Sequence, residues 1–336
     1  MRILITGGRG YLGSVLVPML LAAGHEVVSV ERSADTRHPA PEHLRLSRLV
    51  TDIRAPEDIT FEGVDAAICL AAVPNRSSLA ESSRSADLIN RDASVRLARA
   101  ARAGGVRRFL FASSCSVYGT AMELIDESGP VIPLTPYASA KAEAEHQLME
   151  LADARFSVLS LRLATLFGPS PRLRRDLLVN GMVWAALTRG AVTMPQPGLR
   201  RPLVHVRDAA EAFMLCLPEP RGGTGSAAIL NVAGLNTTTD HAAQYVADRL
   251  GVPTRPERTA DDGRSYWVAN GLFEKTTGKE RWWGLAEGVE ELRTQMASRP
   301  AGVSTHRRRW SRGQGRSDPV CSAEHSTVAA PVHGDI

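Results

Sequence analysis

The chain opens with MRILITGGRGYLG over residues 1–13, and this stretch decides its fold class. Residues 2–5 are a short apolar run suited to a buried parallel strand. The run ends in the turn Gly7-Gly8-Arg9-Gly10, and residues 11–23 then have the pattern of an amphipathic helix. Such a turn directs backbone N–H groups at an anion, and the helix N-terminus adds partial positive charge. The stretch therefore predicts a dinucleotide-binding turn.

The glycines of this turn are spaced G-x-x-G-x-x-G, which departs from the more familiar G-x-G-x-x-G. Gly7 would allow the sharp turn, Gly10 the close approach of a pyrophosphate, and Gly13 tight packing of the helix on the strand. Taken alone, the glycines also fit a plain strand-to-helix turn. Their place after a first strand and before a helix favours the dinucleotide interpretation, with Tyr11 and Leu12 as further cofactor contacts.

Strand and helix patterns alternate through the first half of the chain. This rhythm predicts an α/β fold with a Rossmann-type, doubly wound parallel sheet. The predicted strands cover residues 2–6, 26–30, 66–70, 108–112 and 156–163, and the predicted helices cover 13–23, 90–103 and 138–152. After Gly168 the pattern becomes irregular, with helices predicted at 177–188, 206–217 and 239–250 and short strands near 203–205 and 229–232. This change predicts a smaller, mixed α/β C-terminal lobe that binds substrate.

Three regions are expected on this basis. Residues 1–168, with later core segments at roughly 200–235, form the Rossmann domain, and residues 169–298 mainly form the substrate lobe. Residues 299–336 are polar and rich in Arg, Ser and Gly, so they predict a disordered basic tail whose removal leaves activity intact.

Composition favours a cytoplasmic protein. The four cysteines are far apart and give no metal-ligand spacing, so we expect no metal site and a reducing compartment. No apolar stretch has membrane-spanning length, and the early first strand leaves no room for a signal peptide. The net charge of +4 comes from scattered arginines, and the basic tail has few aromatics, so we expect neither nucleic-acid nor membrane binding.

The end of the second predicted strand carries two opposing cofactor signals. Glu31 stands where an acid accepts hydrogen bonds from the adenosine ribose, whereas Arg32 could attract a 2′-phosphate. A carboxylate beside a 2′-phosphate is unfavourable, so the pair favours NAD over NADP. Asp52 and Ile53 could contact the adenine, although Asp52 could equally cap a helix. Small residues at the end of a strand, Leu70-Ala71-Ala72, would let a cofactor lie against the backbone.

The catalytic signal is the spacing Y-x-x-x-K at Tyr137 and Lys141. Positions i and i+4 share one helix face, and an ammonium near a phenol favours the phenolate, so Tyr137 could act as a base. Ser114 follows the strand 108–112 and could bind a substrate hydroxyl beside Tyr137. Ser116 is another candidate substrate contact from the same serine cluster.

These motifs in this order resemble the extended short-chain dehydrogenase/reductase family, and more narrowly its nucleotide-sugar epimerase/dehydratase branch, over residues 1 to about 297. The resemblance implies that Tyr137 is the base, that Lys141 binds the nicotinamide ribose, and that Ser114 orients a sugar hydroxyl. It implies that Asn90 contributes to the cofactor site. It also implies nucleotide-diphosphate contacts by substrate-binding residues of the C-terminal lobe, which are Asn180, Arg201 and Arg258.

The two residues after Ser114 limit which reactions of the resembled family are expected. Dehydratases of the resembled family have an Asp-Glu pair there, and this chain has Cys115 and Ser116, which disfavours dehydration. We therefore expect an NAD-dependent C4 epimerase acting on a UDP- or dTDP-hexose through a 4-keto intermediate. A nucleotide-sugar 4-ketoreductase, a dehydratase, and a non-catalytic dinucleotide-sensing protein remain alternatives. The resemblance also implies a homodimer, formed through the helices 90–103 and 138–152.

Overall fold

The computed structural model describes residues 1–32, 43–73, 84, 87–218, 226–256 and 263–298. Met1–Arg299 form one compact unit, and Pro300–Ile336 form a second unit that lies outside the described residues. The predicted tail and Arg258 therefore lie outside what the structure describes.

Strands and helices make up most of the described chain. The strands are β1 (Arg2–Thr6), β2 (Glu26–Glu31), β3 (Leu46–Val50), β4 (Ala66–Cys69), β5 (Arg108–Ser114), β6 (Thr120–Ile125), β7 (Ser157–Leu163), β8 (Thr165–Phe167), β9 (Val192–Met194), β10 (Arg200–His205), β11 (Ala227–Val232), β12 (Leu235–Thr238), β13 (Thr254–Pro256) and β14 (Ser265–Val268). The helices are α1 (Gly13–Ala22), α2 (Ser94–Ala103), α3 (Pro136–Met149), α4 (Leu178–Arg189), α5 (Val206–Leu215), α6 (Thr239–Leu250), α7 (Gly271–Thr277) and α8 (Leu285–Ala297). A π-helical segment, Asp87–Ala93, leads into α2, and 3-10 turns cover Pro56–Asp58 and Cys115–Tyr118.

The central sheet has seven strands in the order β3-β2-β1-β4-β5-β7-β11, and every pairing within it is parallel. The strand order reverses between β1 and β4. Ligands of such sheets bind at this switch point, outside the carboxyl ends of the strands. The predicted doubly wound fold is confirmed.

Alternate residues of β1 show that helices pack on both faces of the central sheet. Ile3 and Ile5 belong to a core cluster that contains residues of α1 and α5, whereas Leu4 belongs to a second cluster that contains residues of α2 and α3. Side chains of a strand alternate between the two sheet faces, so the sheet is covered on both sides. This double burial is why the central strands are continuous apolar runs in the sequence.

The later part of the chain adds smaller sheets and a helical cluster. Strand β10 pairs with β8 in parallel and with β12 antiparallel, while β13 pairs with β9 and β14 with β6. Helices α4, α6 and α8 pack together around a third core cluster. The division into a Rossmann domain and a substrate lobe stays a prediction.

Several elements differ from the sequence-based expectation. The predicted helix 90–103 is a π-helical segment followed by α2, so Asn90 does not begin an α-helix. Strand β3 was not predicted because it is an edge strand with partly exposed residues and no apolar run. Helix α8 was also missed, although its buried residues have helical spacing. In the described ranges, no helix is both long and apolar enough to cross a lipid bilayer.

Candidate active site

The glycine turn is closely packed against its surroundings. A Cβ atom on Gly13 would lie 2.3 Å from the carbonyl oxygen of Gly7 and 2.6 Å from Gly8 Cα. One on Gly7, where φ is +75°, would lie 3.0 Å from the backbone nitrogen of Ala71. The Gly10 N–H donates to the Gly7 carbonyl at 2.9 Å. Only glycine fits this approach of helix, turn and strand end, which places the N-terminus of α1 at the switch point of the sheet.

Glu31 closes one side of the turn. Its Oε1 accepts hydrogen bonds from the Arg9 backbone N–H at 3.0 Å and the Ser29 hydroxyl at 2.7 Å. Burial raises the pKa of this carboxyl group, while those bonds and the charges of Arg9 and Arg48 oppose the rise. The carboxylate is therefore held beside the turn, in the position expected of a ribose-binding acid. Arg32 follows it on the surface and is exposed.

Asp52 and Ile53 follow β3. Asp52 accepts hydrogen bonds from the backbone and guanidinium of Arg54, which lower the pKa of the carboxyl group. Ile53 is buried in the second core cluster. The 3-10 turn after these residues has Ala55 as its N-cap, so Asp52 is not the helix cap considered as an alternative. Adenine contact by Asp52 and Ile53 stays a prediction.

The end of β4 forms the wall opposite Gly7. The Ala71 backbone N–H donates to the Thr6 hydroxyl at 3.3 Å, which holds the segment of Leu70, Ala71 and Ala72 against the end of β1. Asn90 is fully buried and makes a pair of hydrogen bonds to the backbone of Val73, at 2.8 and 3.0 Å. Asn90 thus fixes the chain just after this wall. Its contribution to cofactor binding stays a prediction.

Ser114 is the last residue of β5, at the carboxyl edge of the sheet. Its Oγ accepts from the Ser116 backbone N–H at 3.2 Å and bonds to the Ser116 hydroxyl at 2.9 Å. Ser114 is half-buried, whereas Ser116 is only 1% exposed. The structure therefore places Ser116 as a support for Ser114, and substrate contact by Ser116 stays a prediction.

Helix α3 carries Tyr137 and Lys141. The helix begins where its sequence indicates, because the Thr135 hydroxyl accepts from the Ala138 N–H at 3.2 Å and Pro136 occupies the first helical position. The buried Lys141 ammonium donates to the Ala112 carbonyl oxygen at 2.7 Å and lies 4.3 Å from the centre of the Phe111 ring. Burial lowers the pKa of Lys141 to about 8.

Tyr137 is half-buried, and burial raises the pKa of its phenol. The positive charges of Arg174 and Arg264 and a hydrogen bond with Ser114 oppose that rise. The structure thus brings together Ser114, Tyr137 and Lys141, as the sequence predicted. It adds two guanidinium groups that sequence reasoning missed, because nothing in an arginine-rich chain distinguishes these two from the others.

Arg174 lies between α3 and the residues that follow the glycine turn. Its charge acts on the phenols of both Tyr137 and Tyr11, and its guanidinium binds Asp176. Asn180 holds this arrangement: its carboxamide accepts from Gly168 N–H at 3.0 Å and donates to the Tyr11 hydroxyl at 3.1 Å and the Arg174 carbonyl at 3.0 Å. The observed role of Asn180 is therefore structural, and its contact with substrate stays a prediction.

The predicted phosphate-binding arginines belong to the later part of the chain. Arg201 lies on β10 and donates to the backbone carbonyls of Arg200 and Arg264. This contact draws Arg201 and Arg264 together, and Arg264 in turn acts on Tyr137. Arg258 lies outside the described residues. Within the described ranges there is no cluster of three His, Cys, Asp or Glu side chains placed to hold a metal ion.

Comparisons with known proteins match the chain to one protein family. The family described as "NAD dependent epimerase/dehydratase family" matches residues 3–233. A UDP-glucose 4-epimerase of Mycolicibacterium smegmatis is 30% identical over 311 residues, covering 86% of this chain and 96% of the relative. A solved structure of MoeE5 in complex with UDP-glucose and NAD has a TM-score of 0.77 and 27% identity, covering 88% of this chain and 99% of the other. A UDP-galactose 4-epimerase structure has a TM-score of 0.74 and 27% identity, with 88% and 99% covered.

Proposed function

The chain belongs to the NAD-dependent epimerase/dehydratase family, and from that premise we propose that it is a C4 epimerase of a nucleotide sugar, a UDP- or dTDP-hexose. The observation that carries this proposal is that Ser114, Tyr137 and Lys141 lie together beside the glycine turn. The residues next to Ser114 do not provide the acid and base that an elimination needs. The names of the similar proteins support the nucleotide-sugar substrate.

The cofactor we propose is NAD. The glycine turn offers a cradle that a Cβ atom would fill, and Glu31 stands beside it as a hydrogen-bond acceptor. The residues present therefore fit a dinucleotide with a free adenosine ribose, held at the N-terminus of α1. When bound there, NAD would supply the hydride acceptor and donor that a reversible oxidation of the sugar carbon needs. A 2′-phosphate at this point would meet the like charge of the Glu31 carboxylate, which favours NAD over NADP although the exposed Arg32 follows directly.

Tyr137 is the proposed proton acceptor. Its phenolate would take the proton of the sugar hydroxyl on C4. It would return that proton to the oxygen after the 4-keto intermediate has rotated to present its other face. Ser114 would donate a hydrogen bond to the same sugar oxygen, and Ser116 holds the Ser114 hydroxyl in place. The ammonium of Lys141 and the guanidinium groups of Arg174 and Arg264 favour the phenolate.

Dehydration is disfavoured by the surroundings of Cys115. The thiol is fully buried and donates to the Arg162 carbonyl at 3.0 Å, and burial raises its pKa. A thiol held in this way cannot serve as the acid of an elimination. A 4-ketoreductase would use the same Ser114, Tyr137 and Lys141 with a reduced cofactor, so only a turnover experiment distinguishes it from an epimerase.

We also propose a homodimer that forms across α2 and α3. The outward residues of α2 include Arg96 and Arg102. Those of α3 include Glu143, and the exposed Glu150 directly follows this helix. Opposite charges on neighbouring helices suit a two-fold interface, in which the same surface meets itself. Light scattering of the purified protein measures the mass directly.

The function is tested by incubating the purified protein in D₂O with UDP- and dTDP-hexoses and a catalytic amount of NAD. An isomeric product without deuterium at carbon is expected, because the hydride returns internally. Product mass lower by one water would instead identify a dehydratase. Turnover that requires a 4-keto sugar and added reduced cofactor would identify a reductase, and no turnover in either mixture would favour a non-catalytic dinucleotide-sensing protein.

A further inference from the structure

A buried polar cluster joins the C-terminal half of α3 to the strands beside it, and its side chains take no direct part in the proposed reaction. We define it as the Glu145 cluster, consisting of Glu145, Arg162, Tyr118 and Asn231. All four side chains are almost fully buried. Charges this deep in a core are costly to bury unless paired, and replacing such pairs by apolar residues is often neutral or stabilising. The cluster therefore calls for an explanation other than stability.

The contacts of the cluster fix one carboxylate. Arg162 donates to Glu145 through Nε at 3.0 and 3.2 Å and through Nη2 at 2.8 Å. Its Nη1 donates to the Tyr118 hydroxyl at 2.9 Å, and that hydroxyl donates to Asn231 Oδ1 at 2.7 Å. The guanidinium is thus held from both sides. These bonds hold the Glu145 carboxylate against the guanidinium of Arg162.

That position lies one helical turn beyond Lys141. Tyr137, Lys141 and Glu145 are spaced i, i+4 and i+8 on α3, so they share one face of the helix. Lys141 is buried against the Phe111 ring and the Ala112 carbonyl, and the Cys69 thiol faces it from β4. Glu145 is the carboxylate that acts on the Lys141 ammonium among these neighbours.

We propose that Glu145 is a positioning residue that keeps Lys141 charged, and that Arg162, Tyr118 and Asn231 hold the carboxylate in place for this role. Burial alone works against a Lys141 ammonium, and its pKa of about 8 leaves a small margin at neutral pH. Loss of the Glu145 charge would leave Arg162 as an uncompensated cation near Lys141. The ammonium would then lose its proton at a lower pH. The consequence for turnover rests on the proposed function, whereas the charge of Lys141 does not.

The charge of Lys141 can be measured directly because the chain has only three lysines, at 141, 275 and 279. Protein labelled with ¹³C at the lysine ε-carbon gives three resonances, and the spectrum of Lys141→Met assigns the one of interest. Its titration is followed by NMR in the full chain without substrate or added cofactor. In Glu145→Gln we expect the midpoint to fall by about one pH unit, since a neighbouring opposite charge shifts a pKa by that order.

A matched control comes from the same helix. Glu143 also pairs with an arginine, with Arg91 Nη1 2.5 Å from its Oε2, but its side chain is 51% exposed. Glu143→Gln makes the same chemical change and should leave the Lys141 midpoint where it is. An equal shift in Glu143→Gln and Glu145→Gln would overturn the proposal.

A second variant covers the case in which Glu145→Gln does not fold. Glu145→Leu combined with Arg162→Met removes both charges and keeps an apolar core. Its Lys141 midpoint should lie between those of the wild type and Glu145→Gln, because the nearer carboxylate and the opposing guanidinium are lost together. A midpoint unchanged from wild type in the folded variants would refute the role of Glu145. If the protein proves to have no epimerase activity, the titration still decides this point.

Discussion

Replacing Gly13 by alanine tests the cofactor site most directly. The added Cβ would lie 2.3 Å from the Gly7 carbonyl oxygen and 2.6 Å from Gly8 Cα, whereas ordinary contacts begin near 3.4 Å. Both neighbours are backbone atoms of the turn itself, so no side chain can rotate away. Helix α1 and the turn must move apart by about 1 Å, and overpacking of this kind costs about 1–3 kcal/mol.

The strain should fall mainly on cofactor binding, because the turn that must open is the proposed pyrophosphate cradle. At about 1.4 kcal/mol for each factor of ten, the NAD dissociation constant should rise roughly 5- to 150-fold. Calorimetric titration of NAD into the purified variant measures this rise. Thermal unfolding without NAD shows how much of the strain weakens the fold instead, at about 1.5–2 °C for each kcal/mol in a compact unit of this length.

A matched control is Gly271→Ala. Gly271 is also the first residue of a helix, α7, but a Cβ there would meet no atom within 4 Å. This variant should bind NAD and unfold as the wild type does. If Gly13→Ala also retained wild-type NAD affinity and melting temperature, the close approach of helix and turn would not matter, and the reasoning about the cradle would be wrong.

Three further outcomes are expected. Tyr137→Phe should lower kcat by about 10²–10⁴-fold, the contribution of a general base, while a fluorescence titration should show NAD affinity within a few-fold of wild type. Arg174→Met should move the acidic limb of the pH profile of kcat to higher pH. Burial raises the pKa of Tyr137, and the charge of Arg174 opposes that rise. A shift toward lower pH would contradict the assignment of Tyr137 as the base. Ending the chain at residue 298 should leave kcat and KM unchanged in the nucleotide-hexose turnover assay. A large loss of turnover would show that the tail contributes to activity.

Local features of the site could be predicted from the sequence because short-range geometry encodes them. The glycine turn lies between a strand and a helix that are adjacent in the chain, and Tyr137 and Lys141 meet because a helix repeats every 3.6 residues. Ser114 was predicted at the carboxyl edge because it follows an apolar strand. Each of these inferences needs only a few neighbouring residues and the period of one element.

The surroundings of the site depend on contacts that no local pattern encodes. Asn180 bonds to the Tyr11 hydroxyl across 169 residues, and Arg162 reaches Glu145 from the next strand along the chain. Strand β14 pairs with β6 although about 140 residues separate them, and the exposed positions of β6 hide its strand character. Such pairings are decided by how the whole chain packs.

By itself, the sequence determined the doubly wound sheet, the dinucleotide turn and the spacing of Tyr137 and Lys141. These follow from the periods of strands and helices and from the unique backbone tolerance of glycine. Only the tertiary structure decided which charges act on Tyr137 and Lys141, namely those of Arg174, Arg264 and Glu145. The physical reason is that an electrostatic effect depends on distance and burial in three dimensions, and neither is fixed until distant segments of the chain have packed together.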